Sequence, residues 1–95
     1  MKTEAKLEAA LVRECKRRGL YCRKFSSPAH AGVPDRIIAG YGKTLFLELK
    51  SPGKKPTPLQ QREINELLGL RMVAAYADNF QDVLSLLNNQ WPDCV

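Results

Sequence analysis

Three side chains of the stretch GVPDRIIAGYGKTLFLELKSPGKK, residues 32 to 55, have types and spacing that could do chemistry together: Asp35, Glu48 and Lys50. The stretch reads as a β-hairpin. If Tyr41 and Gly42 form a two-residue turn, Gly40 pairs with Lys43. Counting outward from that pair sets Asp35 opposite Glu48 on one sheet face, with Cβ atoms roughly 4.5–5.5 Å apart. Lys50 follows Glu48 by two residues and points to the same face. A one-residue slip would send the acids to opposite faces, so the reading depends on the turn. Two carboxylates that close repel each other. A divalent cation between them removes the repulsion, and oxygen ligands suit Mg²⁺ or Mn²⁺. A lysine beside the cation can hold a water or stabilise developing negative charge. The set suits metal-assisted hydrolysis of a phosphodiester.

A plainer account treats Asp35 as a turn residue after Pro34, and Glu48 with Lys50 as a solvated strand face, since surface ion pairs are common and worth little. Three further features count against it. Glu8 shares a helix face with Leu11, Val12 and Cys15, and an acid on an apolar stripe needs a partner; Glu4, one turn earlier, is the rival. Gln60 sits on the stripe of Ile64, Leu67 and Leu68. The pattern Thr57-x-x-Gln60 is also a capping box, and the two duties are compatible. Finally, Lys24, Arg36, Lys43, Lys54 and Lys55 flank the proposed site in sequence, where they would neutralise backbone phosphates. His30, in the loop before Pro34, is a possible DNA contact.

The elements that must position these groups follow from local signals. Residues 3–18 read as an amphipathic helix with Thr3 as N-cap, Leu7, Ala10, Leu11 and Cys15 at helical spacing, basic residues in the last turn and Gly19 as the stop. Residues 20–25 alternate as a strand, and SSPAHAGVP is a loop. Residues 35–39 and 44–50 are the hairpin strands, joined by GYGK. SPGKKPTP is a basic, proline-rich loop, and a second helix starts near Thr57, with Pro58 at its first position, and ends at Gly69. Residues 71–77 form an apolar strand. Asp78 or Asn79 caps a last helix over residues 80–90, with Phe80, Val83, Leu84 and Leu87 facing inward. The order α-β-β-β-α-β-α predicts an α/β fold, a mixed sheet with helices packed against it.

Ninety-five residues make one domain, spanning 1–95. The net charge of +5 favours a polyanion partner. The cysteines Cys15, Cys22 and Cys94 are odd in number and lack a CxxC pair, which argues against a disulfide framework or a zinc site. They read as reduced thiols in a cytosolic protein, with Cys15 and Cys22 packed as small hydrophobes. No apolar run is long enough for a signal peptide or a membrane span.

With these residues in place, GVPD, then FLELK after a short hairpin, then PLQ on the following helix, the chain resembles the VRR-NUC (virus-type replication-repair nuclease) domain. This is a branch of the PD-(D/E)XK nuclease superfamily, with its restriction endonuclease-like core. The resemblance runs from the first helix through the last. Pro34-Asp35 stands as the PD element, Glu48-Leu49-Lys50 as the ExK element, and Lys50 and Gln60 keep the family's spacing. It implies a Mg²⁺- or Mn²⁺-dependent DNA endonuclease. Asp35, Glu48 and the Leu49 carbonyl would hold the metal. Lys50 would orient the attacking water or offset charge, and Gln60 would steady that water or the lysine. The first-helix acid would complete the outer shell, with Glu8 preferred to Glu4. The loop SSPAHAG departs from the family in being less basic. Stand-alone members resemble Holliday junction resolvases, which implies branched DNA as substrate and a symmetric homodimer to cut two strands. The compact form fits a phage or prophage protein in the bacterial cytoplasm. The alternative is a non-catalytic nucleic-acid-binding module on the same fold.

Overall fold

The computed structural model describes residues 3–94. Helix α1 spans Glu4–Arg18. The Thr3 hydroxyl accepts from the Lys6 N–H at its start. Gly19 closes the other end in the left-handed conformation, at φ 73°, which spares the strain a Cβ would add. Strand β1, Tyr21–Lys24, follows. Strands β2, Arg36–Gly40, and β3, Lys43–Leu49, form the hairpin. Tyr41 and Gly42 both have positive φ, as a two-residue turn matched to strand twist requires. The register is the one expected: Gly40 faces Lys43, and the ladder continues to Arg36 opposite Leu47. Asp35 lies one step beyond, level with Glu48.

Helix α2 covers Pro58–Gly69 and carries the capping box, with Pro58 in its first turn. Strand β4, Val73–Ala77, pairs parallel with β3. Helix α3, Phe80–Gln90, is capped by Asn79, whose side chain accepts from the Asp82 N–H. A short 3-10 helix, Pro92–Cys94, ends the described chain. The sheet order is β1-β2-β3-β4, antiparallel except for its last pair.

The two faces of the sheet differ. Ile38, Leu45, Leu47, Leu49 and Ala77 point to one side, where Leu7, Leu11 and Cys15 of α1 and Val83 and Leu87 of α3 complete the core. Leu86 joins that cluster through partial burial. Leu84, expected to face inward with Phe80, Val83 and Leu87, is only half-buried. Arg18, itself buried, donates to Glu14 of its own helix and to Asn88 Oδ1 at 2.8 Å, tying α1 to α3. The other face carries Phe25, Ile37, Phe46 and Glu48, and α2 packs over its β4 end through Ile64 and Ala74. Among the described residues no helix is long and apolar enough to cross a membrane. Cys15, Cys22 and Cys94 are free thiols.

Candidate active site

At one end of the sheet, four elements bring Asp35, Glu48, Lys50 and Gln60 together. Asp35 ends the loop that enters β2. Its backbone carbonyl accepts from the Phe25 N–H at 2.8 Å, and its Oδ2 accepts from the Leu49 N–H at 3.1 Å. Those two bonds fix the carboxylate against β3. Glu48 is 2% exposed, the most buried acid among the described residues. Its Oε2 accepts from Gln60 Nε2 at 3.0 Å and lies 3.7 Å from Lys50 Nζ. Its Oε1 is buried and has no hydrogen-bond partner.

A buried carboxylate oxygen without a donor is costly, because it has left water without gaining a partner. The consequence appears in its proton affinity. Burial, reinforced by the charge of Asp35 and opposed by that of Lys50, pushes the Glu48 carboxyl up to about 7. The charge of Glu4 pushes in the same direction. A carboxyl pKa raised in this way marks a site where a charge partner belongs. A divalent cation against Asp35 and Glu48 would meet the orphaned oxygen and remove the repulsion together. Among the described residues no group of three or more His, Cys, Asp or Glu side chains could enclose a metal. Two carboxylates suit Mg²⁺, which takes one or two such ligands and fills its remaining positions with water and substrate phosphate.

Gln60 closes the helix cap and reaches Glu48 at once because its amide has two ends. Oε1 accepts from the Thr57 N–H at 2.9 Å, closing the capping box, and Nε2 reaches Glu48. Gly32 sets this reach. It has φ +90°, and a Cβ there would sit 2.9 Å from the Leu59 carbonyl carbon and 3.1 Å from the Gln60 nitrogen. The GVPD loop therefore lies directly on the first turn of α2. In the sequence, the one signal for this close approach is a glycine standing directly before Val-Pro-Asp.

The other expected site residues divide. Glu8 is engaged by Arg36, with Nη2 3.4 Å from Oε2, whereas the charge of Glu4 bears on Glu48. Lys54 and Lys55 are exposed on the loop that follows β3 at the site end. Lys43 does not line the site: it begins β3 while Glu48 lies five residues along it, about 17 Å of extended chain. Its Nζ donates instead to the Gln90 carbonyl at 3.0 Å. Arg36 is 9% exposed and points with Ile38 and Leu47 into the core side, and so is shut off from a DNA backbone. Lys24 is exposed but pairs with Arg36, on the face opposite Glu48. His30 borders a shallow groove with Arg62, Glu63, Asn65 and Glu66. Neighbours in sequence were separated because a strand is long and alternates its sides.

A four-stranded mixed sheet flanked by helices, with paired acids on adjoining segments and a lysine two residues after the second acid, defines the PD-(D/E)XK nuclease core. A solved VRR-NUC domain superposes with a TM-score of 0.84 at 23% identity, covering 93% of this chain and 97% of that one. A second VRR-NUC domain protein gives a TM-score of 0.80 at 25% identity, covering 95% and 88%. A curated protein named "Putative nuclease p44", from Acyrthosiphon pisum secondary endosymbiont phage 1, is 44% identical over 85 residues, 88% of this chain and 90% of that protein. No protein-family model matches the chain. The chain belongs to the VRR-NUC family.

Proposed function

We propose that this protein is a Mg²⁺- or Mn²⁺-dependent DNA endonuclease, a single nuclease domain that hydrolyses phosphodiester bonds in branched DNA. The observation that carries the reading is the Glu48 carboxylate, buried beside Asp35 and Lys50 with one oxygen unpartnered. Asp35, Glu48 and the Leu49 carbonyl would hold the cation, which would polarise the phosphoryl oxygen and lower the pKa of a water.

The chain's own groups do the rest. The Leu49 N–H keeps Asp35 aimed at Glu48. Gln60 holds Glu48 Oε2, and through its cap it ties that acid to the start of α2. Lys50 Nζ, beside the same oxygen, orients the attacking water and offsets negative charge as the phosphorus becomes five-coordinate. The first-helix acid, Glu8 with Glu4 as its rival one turn earlier, would complete the outer shell, and Glu8 is held there by Arg36. Lys54 and Lys55 contact the DNA backbone. Selectivity is for DNA shape rather than for base sequence. A four-way junction has near two-fold symmetry, and one site per chain makes a homodimer the natural way to cut both strands.

The test is cleavage of labelled four-way junction, flap and plain duplex in Mg²⁺, Mn²⁺ and EDTA. Metal-dependent cutting that favours the branched substrates is expected, and Asp35→Ala should abolish it without loss of fold. Absence of cutting on all three substrates would sink the reading.

A further inference from the structure

We propose that Tyr76 is a substrate-contacting residue whose phenol donates a hydrogen bond to a DNA phosphate next to the one that is cut. The inference rests on the nuclease reading above and adds a recognition contact to it. Tyr76 stands on β4 directly opposite Glu48 in parallel register. Opposed residues on neighbouring strands share a face, and the strands lie about 4.8 Å apart. One row therefore crosses the sheet: Phe25, Asp35, Glu48, Tyr76.

The ends of that row differ in a way that assigns them. The Phe25 ring is packed on Phe46, with centroids 5.9 Å apart, so that end is closed by apolar contact. Tyr76 is 37% exposed although it adjoins an acid that is 2% exposed. Two residues earlier on the same face, Ala74 is buried where Ile64 of α2 is also buried. The helix thus covers the inner part of β4 and leaves Tyr76 open at the site end. A DNA strand whose phosphodiester reacts at Asp35 and Glu48 must run on past one end of the row. Past Phe25 it meets a packed hydrocarbon surface. Past Glu48 it meets a phenol, a group that bonds phosphate oxygens in protein–DNA contacts.

A phenol is neutral, so its contact releases no counterion when the DNA binds. A lysine contact does, and it steepens the salt dependence. That difference gives the test: kcat/KM on the preferred substrate, and DNA dissociation constants across a salt series, for the full chain and for Tyr76→Phe, Tyr76→Ala and Lys54→Ala. Tyr76→Phe should lower kcat/KM about tenfold, the scale of one hydrogen bond to a charged acceptor. It should leave the salt slope and the melting temperature unchanged. Lys54→Ala should instead reduce the slope by about one. A Tyr76→Phe protein that cuts and binds like the wild type overturns the proposal, even if Tyr76→Ala is impaired, because the ring alone would then be a wall. A wild-type protein that neither cuts nor binds any DNA overturns the nuclease reading and the contact together. The two failures are told apart by whether the wild type is active.

Discussion

Glu48→Gln should stabilise the metal-free protein at neutral pH while destroying its activity. The folded Glu48 carboxyl holds its proton up to about 7, against 4.5 for an unperturbed group, because burial and Asp35 disfavour its charge. Between those values the native state binds more protons than the unfolded chain, so stability falls as pH rises. The contribution is fully present below about 4.5 and is lost as pH passes through about 7. At about 1.4 kcal/mol for each pH unit between the two values, the loss is about 3 kcal/mol. Glutamine keeps the shape, still accepts from Gln60 and can donate to Asp35, but it carries no charge to desolvate. Urea unfolding in EDTA at pH 5 and pH 7 measures the difference. The wild type should lose about 2 kcal/mol more than the variant across that window, roughly 10 °C in melting temperature at this chain length. Adding Mg²⁺ or Mn²⁺ should raise wild-type stability at pH 7 and leave Glu48→Gln where it was. Parallel pH slopes for the two proteins in EDTA would refute the account of Glu48 as a buried acid lacking its charge partner.

Gly32→Ala combines a left-handed φ with backbone atoms of Leu59 and Gln60 in the way of the new methyl, and should cost about 3 kcal/mol in urea unfolding. Lys50→Ala should reduce cleavage at least about 100-fold while the far-ultraviolet spectrum stays unchanged, since Lys50 is only partly buried and its loss leaves no cavity in the core. Glu14 is held down to about 2 by its bonds to Arg17 and Arg18, so its contribution is present above about 4.5 and disappears as pH falls toward 2. Glu14→Gln should therefore cost about 1–2 kcal/mol at pH 7 and almost nothing near pH 2, read from denaturation at both.

Where the controlling interactions are local, the sequence determined the outcome by itself. Thr3, Thr57 and Asn79 each accept the backbone N–H three residues on, so the helix starts were legible. The Tyr41-Gly42 turn dictated the hairpin register, and with it the meeting of Asp35 and Glu48, because side chains alternate strictly outward from the turn. Only the tertiary structure decided what surrounds that pair. The burial of Glu48 depends on α2 and β4 closing over it, and the parallel pairing that puts Tyr76 beside it joins residues 28 apart in the chain with no turn to set their register. The contact of Gly32 with α2, the engagement of Glu8 by Arg36 and the removal of Lys43 to the far end of β3 likewise depend on how rigid elements dock. Backbone dihedrals and caps are set by a few neighbouring residues, whereas docking is settled by the summed burial of many side chains across the whole fold, which no short stretch of sequence contains.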